Sequence, residues 1–482
     1  MATYRPSTAF RDFGAPGAPF YDEVSSADFP QHKIRYRNDK WAGAVGLDHL
    51  NSEAWSNHFG KFHPLADNMQ VPIAIRYHGH QFRNYNPDIG DGRGFLFGQC
   101  FDDQGRLLDF GTKGSGQTPY SRFGDGRLTL KGGVREILAT EMLEALGVYT
   151  SKTLSLIETG EELHRGDEPS PTRSAVMVRL GHSHIRFGVF QRLDAENNPQ
   201  AIAGLIDYCL THFDPDLTDL SGAEKTTRFF ERVMNRSARL AAQWMAAGFV
   251  HGVLNTDNMN VTGESFDYGP WRFVPEVDPG FTAAYFDQTG LYAYGRQADA
   301  VLWNLSRLGG AIVCVGEEAA LNQILEAYPQ VFEAAMADAF FARLGLTRRL
   351  EKQGADFDLV MKLMRWMQAT KAPFEQVFFD WFCGSASEDR RQGSPISSLY
   401  SDPGFTGIKT VLMDIEPATP ERLADAYFQT STPVSMLIDE MEALWTPIAD
   451  QDDWGPLNAQ IAAIRTMGSA YGFDASGFIA NS

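Results

Sequence analysis

The hydrophobic period of this chain changes once, near residue 195, and that change constrains the fold more than any other feature. Between Val71 and Leu193 the apolar residues come in short runs bounded by glycine or charged turns. Phe95 to Phe101, Leu107 to Lys113, Lys152 to Glu158 and Ser174 to Leu180 read as strands, and strand character first appears around Val71 to Tyr77. One helix interrupts them: Val134, Ile137, Leu138, Met142, Ala145 and Leu146 recur at three- and four-residue steps, Gly147 follows as a C-cap, and Glu136 flanks the stripe. Beyond the change, Phe229, Phe230, Val233, Met234, Leu240, Trp244 and Met245 fall on a helical period over Glu224 to Ala247. Further helices are expected around 298–309, 317–345, 356–371, 419–429, 433–446 and 456–467. The expected fold class is α+β, two-lobed: an irregular wrapped extension over 1–70, a strand-rich lobe over 71–195 and a helical lobe over 196–482. The only irregular island expected in the second lobe is 251–295.

The 482 residues, 43% hydrophobic and 21% charged, suit a globular chain with a sizeable core. A net charge of −19 argues against a nucleic-acid-binding surface, which needs Lys and Arg to neutralise phosphates. Cys100, Cys209, Cys314 and Cys383 are scattered without CxxC or zinc spacing. No secretory segment or run of about 20 apolar residues stands out. These features predict a cytoplasmic protein with neither membrane nor nucleic acid as partner.

Three segments of the chain supply different requirements of one chemistry. In Gly90-Asp91-Gly92-Arg93-Gly94, glycines Gly90, Gly92 and Gly94 let backbone N–H groups approach phosphate oxygens, and Arg93 adds a forked cation; alone, the run reads first as a tight hairpin turn. Gly124-Asp125-Gly126-Arg127 repeats the pattern, which brings Asp125 and Gly126 forward as a second nucleotide contact. Lys113 closes a strand, with Gly111, Gly114 and Gly116 clearing space around it, and Glu136 on the next helix can hold its ammonium; in isolation it would be a solvated lysine. This is not a Walker A loop, since GxxxxGK[ST] is absent. Asn258 and Asp267 offer oxygen ligands to a divalent cation, which leaves Asp257 to accept a proton from an attacking hydroxyl. The competing reading of these three is an Asx-turn network. Arg179 and Arg186 flank Gly181-His182-Ser183-His184, where two guanidiniums can converge on a terminal phosphate or simply face solvent. His78 with His80, and His182 with His184, lack Cys or Glu at ligand spacing and read as structural. A glycine turn, a strand lysine, a helix glutamate, a carboxylate-amide pair and a second Asp before Gly follow the order of a protein-kinase-like fold.

At this level of detail the chain resembles the selenoprotein O (SelO/YdiU) family of pseudokinase-like protein adenylyltransferases. The matching runs include Tyr77-His78-Gly79-His80-Gln81-Phe82, Gly90-Asp91-Gly92-Arg93, Lys113 to Arg122, Gly124-Asp125-Gly126-Arg127, Arg135-Glu136, Ser183 to Arg186, His251 to Met259 and Asp267-Tyr268-Gly269-Pro270. The resemblance implies a kinase-like fold with ATP inverted, so that AMP passes to a protein Ser, Thr or Tyr hydroxyl and pyrophosphate leaves. It implies nucleotide contacts from Gly90, Gly92, Arg93, Lys113, Asp125 and Gly126, with Arg179 and Arg186 on the far phosphate. It further implies Glu136 paired with Lys113, magnesium or manganese on Asn258 and Asp267, and Asp257 as the catalytic carboxylate. Family members often carry a C-terminal cysteine or selenocysteine; no cysteine follows Cys383 here. The same parts serve an ordinary kinase transferring the γ-phosphoryl group, or a catalytically inactive nucleotide-binding scaffold.

Overall fold

The computed structural model describes residues 2–14, 19–166, 168–349, 351 and 354–473. Its strands in chain order are β1 (Arg5–Ser7), β2 (Tyr21–Glu23), β3 (Lys33–Arg37), β4 (Ile73–Ile75), β5 (Gly79–Gln81), β6 (Asn84–Asn86), β7 (Leu96–Phe101), β8 (Leu107–Lys113), β9 (Leu128–Thr129), β10 (Lys152–Leu163), β11 (Thr172–Gly181), β12 (Phe249–Val250) and β13 (Arg272–Phe273). Nine of them form one antiparallel sheet in the order β2-β4-β7-β8-β11-β10-β3, with β1 added on β7 and β9 on β11. β5 and β6 form a separate hairpin, as do β12 and β13. The four strands expected from sequence are β7, β8, β10 and β11, and they make up the middle of the sheet.

The first 70 residues are not irregular. They supply β1, β2 and β3 to the sheet, together with α1 (Ala9–Phe13), α2 (Asp39–Ala44) and α3 (Ser52–Phe59). Each piece is too short to show a period; the three helices are fixed by burying aromatic side chains, Phe10, Trp41, Trp55 and Phe59, all in the core.

Helix α4 (Leu130–Ala145) packs across β10 and β11. Thr129 caps its start by accepting from the Gly132 N–H at 3.1 Å, and Gly147, at φ 78°, ends it by donating to the Glu144 carbonyl at 3.0 Å. The helical part follows with α5 (Phe187–Ala195), α6 (Pro199–Phe213), α7 (Gly222–Ala246), α8 (Gln297–Ile312), α9 (Glu318–Arg343), α10 (Ala355–Thr370), α11 (Phe374–Trp381), α12 (Glu388–Gln392), α13 (Thr406–Asp414), α14 (Ile438–Gln451) and α15 (Gly455–Tyr471). The long α7 runs along α9, and α8 packs on α5 and α7. Tyr294–Val315, which includes α8, is the one helical stretch among the described residues long and apolar enough by composition to cross a membrane.

Two expected helices differ. Residues 419–429 form short turns, Pro420–Ala424 and Ala426–Gln429, because Asp425 between them is extended, at ψ 142°, and accepts from the Tyr427 N–H at 2.8 Å to start the second turn afresh. The helix expected over 433–446 begins instead at Ile438, where the Glu440 carboxylate accepts from the Leu437 N–H at 2.5 Å. The segment 251–295 is not the only irregular stretch of the helical part, since 384–405 is also built of short turns around α12.

Candidate active site

Sheet register sets the floor of the site. In the β8–β11 ladder Lys113 lies opposite Met177 and Gly111 opposite Arg179. Opposed residues share a face, as do residues two apart, so Lys113 and Arg179 project on the same side. A side chain at Gly111 would collide there: its Cβ would lie 1.9 Å from His184 Nε2. Lys113 Nζ donates to Glu136 Oε1 of α4, with both side chains buried. Glu136, expected beside the apolar stripe, is therefore inside the molecule, where its charge is matched by that lysine.

Asp267 is where the cations meet. Arg179 Nη1 donates to its Oδ1 at 2.9 Å, Arg186 Nη1 donates to its Oδ2 at 2.8 Å, and Lys113 Nζ stands 3.4 Å from Oδ1. Burial pushes this carboxyl upward, yet Arg179, Arg186 and Lys113 together hold it well below the usual carboxylate range. Its backbone is left-handed at φ 62°, a conformation Asp tolerates better than most residues. Arg186 also donates to the Asp257 carbonyl at 2.7 Å and has Asp91 Oδ1 at 3.6 Å, while Asp91 Oδ2 accepts from the Ile75 N–H at 3.0 Å. The two arginines expected on a terminal phosphate thus converge, in this structure, on one carboxylate.

The loop between β12 and β13 carries Asp257 and Asn258 on a single turn, Thr256–Asn258. Buried polar side chains from several elements hold it. Asn304 of α8 donates to the Leu254 carbonyl at 2.8 Å, and the Tyr292 hydroxyl donates to Asn255 Oδ1 at 2.8 Å. From the β5–β6 hairpin, the His80 N–H donates to Thr256 Oγ1 at 2.7 Å and the Phe82 N–H to Asn255 Oδ1 at 3.0 Å. Thr256 in turn donates to Gln191 Oε1 at 2.7 Å. The Asp257 carboxylate packs against Gly79, whose Cβ, were there one, would lie 3.0 Å from Oδ1. That Oδ1 is buried without a hydrogen-bond partner. Burial raises the Asp257 pKa to about 6, against the pull of Arg186. Asn258 donates from Nδ2 to the Val253 carbonyl at 2.9 Å, which leaves its Oδ1 for the cleft.

These groups line one cleft of ≈720 Å³. Gly90, Gly92, Arg93, Lys113, Asp125, Gly126, Arg179, Arg186, Asp257, Asn258 and Asp267 all reach it; Glu136 lies behind Lys113. Seven Lys and Arg side chains line it against four Asp, so a chain with net charge −19 concentrates positive charge where a polyphosphate would sit. Asp125 is held by Arg165 at 2.8 Å, and Gly90 lies so close to the Tyr120 ring that a Cβ would be 2.4 Å from it. Gly90 therefore serves close packing as well as access. Among the described residues no three His, Cys, Asp or Glu side chains form a ready metal cage. Asp267 and the Asn258 amide, both lining the cleft, are nevertheless oxygen donors of the kind a hard divalent cation takes when phosphate and water oxygens complete its shell. Of the four histidines read as structural, His78 Nδ1 pairs with the Tyr85 hydroxyl at 2.6 Å, His80 Nδ1 with Gln191 at 2.9 Å and His184 Nδ1 with Asp109 at 3.2 Å, while His182 packs on Tyr149 and Phe213; His184 also lines the cleft. Of the loop-holding residues, Thr256 lies within the run His251 to Met259, whereas Gln191 and Tyr292 carry no sequence signal of their own.

Sheet, helices and cleft define the class: a mixed α+β protein with a cationic cleft and, at its wall, a buried carboxylate whose Oδ1 has no hydrogen-bond partner. A family model described as protein adenylyltransferase SelO matches residues 7–465. The chain is 41% identical over 465 residues to the protein nucleotidyltransferase YdiU of Synechocystis sp., covering 93% of this chain and 96% of that one. It is 42% identical over 454 residues to the protein of the same name from Trichodesmium erythraeum (91% and 94% covered) and 42% identical over 474 residues to that of Gloeobacter violaceus (94% of each). The chain belongs to the protein adenylyltransferase SelO family.

Proposed function

We propose that this chain transfers AMP from ATP to Ser, Thr or Tyr hydroxyls of proteins, on a two-lobed protein-kinase-like arrangement. In this reading residues 71–195 bind nucleotide, 196–482 carry the catalytic and metal-binding loop at 251–295, and 1–70 are an extension wrapped onto the first lobe. The observation that carries it is the convergence of the Lys113–Glu136 pair, Asp267 with its two arginines, and the Asp257–Asn258 turn in one cleft of an adenylyltransferase family member.

The acceptor hydroxyl oxygen bonds to the α-phosphorus, the bond from that phosphorus to the β-phosphate oxygen breaks, and pyrophosphate leaves. The hydroxyl proton passes to Asp257. A carboxylate with a pKa of about 6 is a better proton acceptor than an ordinary one yet remains mostly ionised at neutral pH. Lys113, oriented by Glu136, binds phosphate oxygens. Arg179 and Arg186 exchange part of their hold on Asp267 for the terminal phosphate, which orients the α-phosphate toward Asp257. Gly90, Gly92, Arg93, Asp125 and Gly126 bound the outer cleft and take the remainder of the nucleotide. Asn258 and Asp267 hold magnesium or manganese, which when bound neutralises phosphate charge. The test is incubation of the purified chain with a protein acceptor and ATP labelled on either the α- or the γ-phosphate. Protein-bound α-label is expected; γ-label alone would make the chain a kinase, and no label with ATP still bound would make it a scaffold.

A further inference from the structure

Beside the catalytic loop the chain exposes side chains that a free surface has no reason to carry. Among the described residues five large hydrophobic side chains are exposed, and four are aromatic: Phe123, which lines the cleft, Tyr85 on β6, and the adjacent Tyr285 and Phe286, at 83% and 46%. The Phe286 ring lies 5.1 Å from Tyr285 and 5.9 Å from Phe82. Phe82 is one hydrogen bond from Asn255, two residues before Asp257. The aromatic pair is thus anchored to the turn that carries the carboxylate.

The β5–β6 hairpin strengthens the case. Its two-residue turn is Phe82-Arg83, and both residues are left-handed, at φ 49° and 65°. Glycine or asparagine would take those positions without strain, whereas two bulky residues there are strained. The side chains are what the strain retains. Phe82 faces Phe286 and Tyr292, and Arg83 stacks on Trp303 at 5.6 Å. Arg307 stacks on the same Trp303 at 5.3 Å. Both arginines are exposed, and among the described residues neither forms an ion pair with a carboxylate, although the chain has 19 more acidic than basic side chains. Asp194 shares a hollow with Arg307 without pairing to it.

We infer that Tyr285, Phe286, Phe82, Arg83, Trp303 and Arg307 form the docking surface for the protein acceptor, and that the segment it takes presents an apolar residue to Tyr285 and Phe286 and a carboxylate to Arg83 and Arg307. This rests on the adenylyl-transfer reading. Exposed aromatic residues beside unpaired arginines are the residue types that dominate protein recognition, and the positive charge selects an acidic partner.

The experiment measures α-label transfer to a peptide array with a fixed Ser, Thr or Tyr and varied neighbours, and to casein and histone H1 as acidic and basic protein acceptors. The wild-type chain is expected to favour acceptors with paired apolar and acidic neighbours by about tenfold in kcat/KM. Arg83→Glu/Arg307→Glu is expected to reverse the charge preference toward lysine-flanked peptides and histone, and Tyr285→Ala/Phe286→Ala to remove the apolar preference. ATP binding by calorimetry should stay unchanged in both variants. A gain of lysine-flanked acceptors is a readout that mere loss of structure cannot produce. Label transfer with the same acceptor profile in wild type and variants overturns the docking surface alone. No α-label on any acceptor, with ATP still bound, overturns the adenylyl-transfer reading and this one with it.

Discussion

Replacing Asp257 by Asn is expected to abolish transfer while stabilising the fold at neutral pH. The amide keeps the shape of the carboxylate but brings no charge into a site where Oδ1 is buried without a partner. Burial lifts the Asp257 pKa from 3.8 to about 6. A carboxyl raised on folding favours the protonated form, so the native state carries no penalty for it below the unfolded-state pKa. The penalty grows as pH rises and is fully present once pH passes the folded-state value. A gap of roughly two pKa units is worth about 3 kcal/mol, an upper bound because the asparagine amide must also be desolvated. Urea denaturation of wild type and variant should therefore give nearly coincident curves near pH 4 and a variant more stable by about 1–3 kcal/mol at pH 7.5. In the same preparations α-label transfer should fall by about 10²–10⁴-fold, and wild-type transfer should rise with pH through about 6, as the carboxylate ionises. Equal stability differences at both pH values would refute the assignment of burial as the cause of the raised pKa. Transfer at the wild-type rate by the folded variant would refute the proton-accepting role.

Lys113→Met leaves Glu136 buried without its counter-ion and should cost about 3–5 kcal/mol in thermal or urea unfolding as well as activity. Adding Glu136→Gln should recover most of that stability and none of the transfer; recovery of both would make the pair purely structural. Arg179→Ala/Arg186→Ala should cut AMP transfer from ATP severely but weaken AMP binding much less, because AMP has no terminal phosphate for the guanidiniums to hold. Calorimetry showing equal weakening toward ATP and AMP, in a double variant whose circular dichroism is native, would count against the inverted nucleotide.

The site was legible in sequence to the extent that its members announce their chemistry by type and neighbours. Lys113 at the end of an apolar run, Glu136 one helix on, and Asp257-Asn258 emerging from an apolar segment are each local patterns, and the structure gathers them around one cleft. The residues that hold the loop left no such mark. Gln191, Tyr292 and Asn304 are ordinary polar residues until folding buries them against Thr256, Asn255 and the Leu254 carbonyl, after which each unpaired polar atom would be costly. The N-terminal strands escaped for a related reason: three-residue segments such as Tyr21–Glu23 have no periodicity to read and exist because β4 offers them a ladder.

By itself, then, the sequence determined the change from strand to helix near residue 195, the strands at the centre of the sheet, the long helices and the identity of the charged groups, because hydrophobic period and side-chain chemistry are local properties. Only the tertiary structure decided that Arg179 and Arg186 both close on Asp267, that Glu136 is buried rather than beside its stripe, and that Asp257 keeps a buried oxygen without a partner. Those outcomes depend on sheet register, on how α4 and the β5–β6 hairpin cover the loop, and on the desolvation that follows, none of which is a property of neighbouring residues in the chain.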